Sequence, residues 1–237
     1  QTPNNGDNPD WAQGYGYQFW RCQHNAYRGD GAFGQYCIVM PEQDAVLAMT
    51  SGVSDMQAVL DQVWTHLLPA MESEALPEEL SAQARLNDKL AALALPTISG
   101  RATSAVAATV SDQCFHFQDV PASEDPRDTP LQSLALTFAE HQTICHLQDR
   151  DGQYAIPLGH GEWRTGATPY SAPTEQQVAG CGAWTADDTY TLKIQFVERP
   201  FSVTATCRFV DGELHYQSRM NVNFGPTEGP TLVGATD

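Results

Sequence analysis

The side chains best suited to bond-making chemistry are thinly scattered along this chain. Its 237 residues include two lysines, Lys89 and Lys193. A serine nucleophile activated by lysine needs the two residues one helical turn apart, as Ser-x-x-Lys. Leu86 and Tyr190 occupy the positions three residues before the lysines, and Tyr-x-Asn and Gly-x-Ser-x-Gly are also absent. The chain therefore contains no complete motif of a serine hydrolase, and we assign no catalytic residue within it.

The cysteines and histidines lack the clustering that a metal site needs. The six cysteines contain no Cys-x-x-Cys pair, and Cys145, His146 and His141 come nearest to a ligand cluster. A hairpin with scattered polar residues explains these three equally well, so no metal or other cofactor is expected. A disulfide framework is an alternative, but the length of the chain favours buried free thiols, with Cys37, Cys145 and Cys207 in strand-like segments. Each histidine outside the first 100 residues is expected to be a surface or hydrogen-bonded residue.

Charge and length exclude several classes of partner. The net charge is −17, from 12 basic and 29 acidic side chains. This balance argues against nucleic acid and against anionic membrane surfaces, both of which need clustered Lys and Arg. No apolar run approaches the ~20 residues of a membrane-spanning helix. The polar first nine residues do not form a signal peptide, so the compartment stays unknown.

The first 70 residues are expected to form short strands and one helix. Aromatic and β-branched residues predict strands at 15–20, 33–39 and 45–50. A capping box at Ser54 and Gln57 predicts the start of the helix, and Pro69 its end. Its apolar stripe has the spacing of one helical face. The stripe comprises Met56, Val59, Leu60, Val63, Trp64, Leu67 and Leu68.

The remainder of the chain is expected to contain a linker, a second helix and a β-domain. The acidic segment 72–79 leads into a helix from Pro77 to about Leu95, with Leu80, Leu86, Leu90 and Leu93 on its packed side. Alternation then predicts antiparallel strands at 113–118, 131–139, 143–148, 153–158, 178–185, 190–196, 201–209 and 214–220. The segment Ser123–Asp128 is expected to be a solvated loop or an arm toward an active site. The predicted domains are 1–71, 72–97 and 98–237.

The order of the first elements resembles the closing part of class C β-lactamases and related penicillin-recognising serine hydrolases. The resemblance lies in the aromatic strand Gly14–Trp20, the turn Gly31–Gln35, the strand ending at Pro41 and Glu42, and the helix from Ser54. The ending Asn221–Pro226 resembles that of the lipocalin-like β-domains appended to some of these enzymes. The implied fold class is α+β: antiparallel strands plus the C-terminal helix of a β-lactamase-like domain, followed by an all-β antiparallel barrel or sandwich of about eight strands.

This resemblance implies the C-terminal part of a serine hydrolase that acts on an amide or ester through an acyl-enzyme. The nucleophile would lie in a missing N-terminal part, so catalysis by this chain alone is uncertain. The implied cleft-wall residues are His24, Tyr27, Arg28, Asp30 and Gly31. Either Arg28 or His24 would supply a positive charge for a substrate carboxylate. Alternatively, Arg28 and Asp30 form an ion pair at a strand end.

A second hypothesis is a non-catalytic β-barrel that binds a small apolar ligand or a protein partner. The aromatic residues of the β-domain would line its cavity, or else pack as core. These are Trp163, Trp184, Tyr190, Phe196, Phe201 and Phe209. Because three strands offer a small face for the helix stripe, the expected partner of the first segment is the missing N-terminal half or a second copy of the chain.

Overall fold

Two antiparallel sheets account for most of the regular structure in residues 8–118 and 130–236, which are the residues that the computed structural model describes. The chain divides into one unit at Gln1–Leu95 and another at Pro96–Asp237. The boundaries expected from the sequence stay a prediction. The loop expected at Ser123–Asp128 lies outside the described residues.

The first sheet is a five-stranded meander in which each strand pairs antiparallel with the next. Its strands are β1 (Tyr15–Gly16), β2 (Phe19–Arg21), β3 (Tyr27–Gly31), β4 (Gln35–Met40) and β5 (Ala45–Met49). The hairpin between β3 and β4 closes at the pair Gly31 and Gln35. Gly34 has a φ of +85°, and a Cβ there would lie 3.3 Å from the methyl groups of Val53 and Val59. This turn therefore requires glycine.

The helix that follows begins one residue later than the sequence indicates. Helix α1 spans Met56–Gln62 and continues through a π-helical turn at Val63–Leu67 and a 3₁₀ turn at Leu68–Ala70. Asp55, not Ser54, caps it, because the Asp55 carboxylate accepts a hydrogen bond from the Ala58 amide at 3.0 Å. Gln57 does not reach back to the cap, because its amide donates to the carboxylates of Asp10 and Asp61. The predicted capping box is wrong for this reason.

The core of the first unit lies between one face of the meander and α1. It contains Cys22, Ala26, Tyr36, Ile38, Met40, Leu60, Val63 and Trp64. Asp10 anchors the N-terminal segment to this core, since its buried carboxylate accepts hydrogen bonds from Gln23, Gln57 and Trp64. Strands β4 and β5 and the connection between β2 and β3 therefore supply most of the surface that covers the helix stripe.

Helix α2 spans Leu80–Ala91, with Glu79 as its cap. The Glu79 carboxylate accepts from the amides of Ser81 and Ala82, so the helix begins three residues after Pro77. All twelve residues of α2 are exposed. The prediction of a packed leucine face is therefore wrong within the described chain. No helix in the described ranges is both long and apolar enough to cross a bilayer.

The second sheet contains ten strands in the order β10-β11-β12-β13-β14-β15-β6-β7-β8-β9. Their bounds are β6 (Cys114–Phe117), β7 (Ser133–Phe138), β8 (Thr143–Gln148), β9 (Gln153–Leu158), β10 (Arg164–Thr168), β11 (Gln176–Trp184), β12 (Thr189–Phe196), β13 (Ser202–Val210), β14 (Glu213–Met220) and β15 (Leu232–Ala235). Helix α3 (Ala107–Val110) precedes β6. The pairing of Gly234 with Phe117 joins the last strand to the first.

The sheet curls into a nearly closed barrel because β9 reaches the free edge of β11. Beyond the point where β10 ends, the amide of Gly159 donates to Gly180 O at 3.1 Å, and the amide of Gly182 donates to Gly159 O at 2.9 Å. Arg101 takes the next position on the same edge through two hydrogen bonds to Trp184. This end of the barrel is therefore closed by β11 rather than by β10.

Side chains fill the middle of the barrel. Leu134, Cys145, Ile156, Val178, Leu192, Ala205 and Leu214 are each at most 2% exposed. Of the aromatic residues named from the sequence, Trp184, Tyr190, Phe196 and Phe209 belong to this core, and Phe201 packs against it. The predicted antiparallel barrel is confirmed, with ten strands rather than about eight. The strands β10 and β15 are so short that their alternation could not be recognised in the sequence.

The β-lactamase-like α+β part of the expected fold class is not supported. The described helices are short, and both sheets are antiparallel. Strands outnumber helices in both units, so the described protein is mostly β. The six cysteines are free thiols, of which Cys37 and Cys114 are exposed. Cys37 faces solvent because its neighbours Tyr36 and Ile38 occupy the core face of β4.

Candidate functional site

A polar pocket of about 250 Å³ lies at the closed end of the barrel. The turn between β7 and β8 supplies one wall with Glu140, His141 and Gln142, and the connection between β9 and β10 supplies another with His160 and Glu162. Most residues of these two connections are polar or glycine, which is typical of turns at strand ends. The floor is formed by residues of β11 and β12.

Arg164, the first residue of β10, is the principal cation of this pocket. Its Nη2 lies 2.9 Å from Glu162 Oε1 and donates to His141 O at 3.5 Å. Its Nε is buried and has no hydrogen-bond partner. A buried donor without an acceptor costs about 1–3 kcal/mol unless water or a ligand satisfies it. Arg164 therefore has one donor free for a bound group.

Tyr190 forms the floor together with Gly182. The Tyr190 side chain is 2% exposed, and its hydroxyl has Thr143 as a hydrogen-bond partner. Burial raises the pKa of Tyr190 above its ordinary value, and the hydrogen bond with Thr143 acts in the opposite direction. The phenol therefore stays neutral at physiological pH and offers a hydroxyl to the pocket.

Trp184 is paired with Tyr190 across the ladder of β11 and β12. Its ring centroid lies 5.5 Å from that of Tyr190 and 5.2 Å from that of Phe138. The indole Nε1 is buried and has no hydrogen-bond partner. Two donors at this end of the barrel, on Trp184 and Arg164, thus lack an acceptor within the described protein.

The described residues that line the pocket do not include a serine or cysteine nucleophile. The side chains that line it include two histidines, a threonine and a tyrosine, but neither serine nor cysteine. It therefore has no serine or cysteine beside a histidine base. Within residues 8–118 and 130–236, no group of three His, Cys, Asp or Glu side chains is placed to hold a metal.

Sequence reasoning missed this site. His141 and His160 were expected to be ordinary surface residues, and Glu162 and Arg164 were not singled out. Tyr190 lies in an alternating strand pattern that predicts a core residue, and it does belong to the core. Nothing in the neighbouring sequence indicates that it also lines a pocket. Only the strand register brings Arg164 and Tyr190 to one pocket, because both pair with β11.

Two of the cleft-wall residues predicted from the sequence, Arg28 and Asp30, contact each other on β3. Arg28 is fully buried, and its Nη2 lies 3.0 Å from Asp30 Oδ2. Its guanidinium stacks 4.1 Å from the ring centroid of Trp11, and Nη1 donates to Cys22 Sγ at 3.1 Å. Burial raises the pKa of Asp30 above its ordinary value, although Arg28 opposes this shift.

The other three cleft-wall residues make separate contacts. His24 is exposed, with its ring 5.3 Å from that of Trp64. The ring of Tyr27 lies edge-on to Phe19 at 5.6 Å. Gly31 pairs with the first residue of β4 at the hairpin. The role of these five residues in a cleft stays a prediction.

Comparisons with known proteins give likenesses to solved structures, among them the following two. No family model matches the chain, and no curated protein matches it. A fatty acid-binding protein from brain tissue of Drosophila melanogaster is 11% identical over 53% of this chain and 99% of its own, with a TM-score of 0.38. Lipid binding protein 8 of Caenorhabditis elegans is 9% identical over 57% of this chain and 99% of its own, also with a TM-score of 0.38. Likenesses of this size carry no information on what this chain binds.

The interpretation as the C-terminal part of a β-lactamase-related serine hydrolase is wrong. The first unit has its own five-stranded antiparallel meander with one short helix, the second unit is a nearly closed antiparallel barrel, and no family model matches the chain. The error arose because a Gly-aromatic-Gly hairpin between apolar strands is common to many antiparallel sheets.

Proposed function

We propose that the barrel unit is a non-catalytic binding module that holds a small anionic ligand, with a carboxylate as its charged group, in the polar pocket. The supporting observation is the buried Nε of Arg164, which has no hydrogen-bond partner, on a residue that lines the pocket together with Tyr190. A guanidinium presents its donors as a planar fork that matches a carboxylate. One oxygen of the ligand would accept from Arg164 and the other from Tyr190.

The dimensions of the pocket limit the ligand. Its volume of about 250 Å³ is below the ~300–1,000 Å³ of pockets that enclose drug-sized molecules. A ligand of few heavy atoms, or the charged end of a longer one, fits this space. Side chains fill the middle of the barrel. This packing favours a ligand site at the end of the barrel over a site for an apolar ligand inside it.

The charged groups around the pocket would affect the affinity for an anion. Glu162 already pairs with Nη2 of Arg164, so the ligand would use the remaining donor rather than displace the ion pair. The net charge of −17 repels anions at long range. Binding should therefore be weak at low salt and strengthen when salt screens this repulsion.

The test is a titration of the full chain with acetate, benzoate, phosphate and laurate, followed by NMR and calorimetry. We expect the small carboxylates to shift the indole resonance of Trp184, and the Arg164→Gln substitution to weaken binding by about tenfold or more. Arg199→Gln is the matched control, since Arg199 is exposed and donates to Ser171 O outside this pocket.

Each outcome of the titration has a defined meaning. Equal binding by wild type and Arg164→Gln would contradict the proposal, as would the absence of any carboxylate-dependent shift. Phosphate binding without carboxylate binding would refute the assigned ligand class. Laurate binding that survives Arg164→Gln would instead support an apolar ligand, as in the alternative from the sequence.

A further inference from the structure

An apolar groove lies on the first unit between β5 and the helical segment that begins with α1. Leu47 and Met49 form the strand side of the groove, and Val59, Val63 and Leu67 form the helical side. Its volume is about 600 Å³, and Leu67 is 38% exposed. A contiguous exposed apolar surface of this kind is typical of an interaction site.

Helix α2 presents a second apolar surface without a partner. Leu86 and Leu90 lie four residues apart on one face of α2 and are 57% and 55% exposed, and Leu93, just beyond the end of the helix, is 65% exposed. A helix of twelve residues is marginal in water by itself, so α2 gains stability from any surface that covers this face. Such a helix fits a hydrophobic groove through anchors at these positions.

The charges on the two surfaces are complementary. Arg85 and Lys89 follow one edge of the leucine face, four residues apart, and neither forms an ion pair within the described chain. Asp55 lines the groove near the start of α1. In a chain with a net charge of −17, most of the surface repels a second copy. The basic edge of α2 would instead be attracted to Asp55 at the groove.

We propose that the chain forms a two-fold dimer in which α2 of each copy occupies the apolar groove of the other. All twelve residues of α2 are exposed within a single chain, so the groove of the same chain does not hold it. A two-fold axis makes each helix-in-groove contact twice, which doubles the buried surface. The helix is roughly 18 Å long at 1.5 Å per residue, which is enough for Leu86 and Leu90 to contact the groove one helical turn apart.

The test measures the oligomeric state of the full chain by sedimentation equilibrium and light scattering. We expect a mass of twice 25.9 kDa. Leu86→Glu with Leu90→Glu should weaken the dimer at least tenfold, because both side chains are exposed in the monomer and its fold does not depend on them. Ala84→Glu, on the opposite face of α2, is the matched control and should leave the mass unchanged.

A charge-reversal series distinguishes docking from a general effect on folding. Arg85→Glu with Lys89→Glu should weaken the dimer at least tenfold, and adding Gln62→Arg, which lies on the groove, should restore it. Circular dichroism checks that each variant is folded. A monomeric wild type would overturn the proposal. The same holds if hydrogen exchange shows that α2 is protected in the monomer by the groove of its own chain. A dimer that survives the leucine substitutions, or a failed rescue, would also overturn it.

Discussion

The ring of Tyr190 lies directly over Gly182 on the floor of the polar pocket, at a separation that leaves no room for a side chain. A Cβ on Gly182 would lie 2.7 Å from Tyr190 Cζ. Real Cβ atoms essentially never approach other atoms closer than 3.0 Å. Because Tyr190 is also held between Trp184 and Phe138, its ring has little freedom to move aside. The hydroxyl of Tyr190 therefore reaches the pocket only while residue 182 is glycine.

Gly182→Ala should destabilise the barrel and impair the pocket together. The expected loss is about 1–3 kcal/mol in the free energy of unfolding, as for other overpacked cores. Urea denaturation measures this loss, and carboxylate titration measures the effect on the pocket. Gly225→Ala is the control, because the nearest atom to its Cβ lies 3.9 Å away. Wild-type stability in Gly182→Ala would show that Tyr190 is free to shift.

The buried carboxylate of Asp10 should make the stability of the first unit depend on pH. Burial alone would raise the pKa of Asp10, but hydrogen bonds from Gln57, Trp64 and Gln23 outweigh it and hold the pKa below its ordinary value. A lowered pKa stabilises the folded state above the unfolded value of 3.8. This contribution is lost as the pH falls through the lower, folded value.

Asp10→Asn tests this expectation directly. The amide places a donor against the donors of Gln57 and Trp64, so we expect a loss of about 1–3 kcal/mol at neutral pH. The difference from wild type should shrink as the pH is lowered below about 4, where wild type loses its own contribution. Asp44→Asn, at an exposed residue of left-handed conformation, should stay within about 0.5 kcal/mol. A gap between wild type and Asp10→Asn that is constant with pH would contradict the assignment.

Arg28 and Asp30 should behave as a coupled pair in the core of the first unit. Arg28→Met leaves the Asp30 carboxylate without its counter-ion, so we expect a loss of about 3–5 kcal/mol. Asp30→Asn introduced into that variant should recover part of the loss, which gives a coupling energy of about 1–3 kcal/mol in a double-mutant cycle. Chemical denaturation of the four proteins measures the coupling. Strict additivity would mean that the 3.0 Å contact contributes nothing.

The six thiols should fall into two classes of reactivity. Cys37 and Cys114 are exposed, whereas the other four cysteines are buried. Burial raises the pKa of Cys145 to about 12, which suppresses the reactive thiolate. A chromogenic thiol reagent should therefore modify two thiols in the native protein and six in the denatured protein, and Cys37→Ser and Cys114→Ser should each remove one. Rapid modification of a third thiol in the native protein would contradict the burial.

Local pattern recovers those parts of the fold that depend on neighbours in the chain. Alternation identifies the segments of β12 and β13, and the hairpin turn at Asp211 and Gly212 has φ angles of +52° and +84°. The apolar stripe of α1 places the helix against a sheet. The predicted capping box is wrong, because Gln57 donates a hydrogen bond to Asp10, which is distant in the sequence, and not to the helix cap.

The chain sequence by itself determined that the second half folds as an all-β antiparallel domain and left barrel and sandwich open, since strand periodicity and turn chemistry are properties of adjacent residues. Tertiary structure alone decided that Gly159 closes the barrel on β11, that Arg28 is buried on Trp11, and that Arg164 and Tyr190 meet at one pocket. These contacts join residues far apart along the chain. They depend on strand register and on which edge is left free, and neither is written in any local pattern.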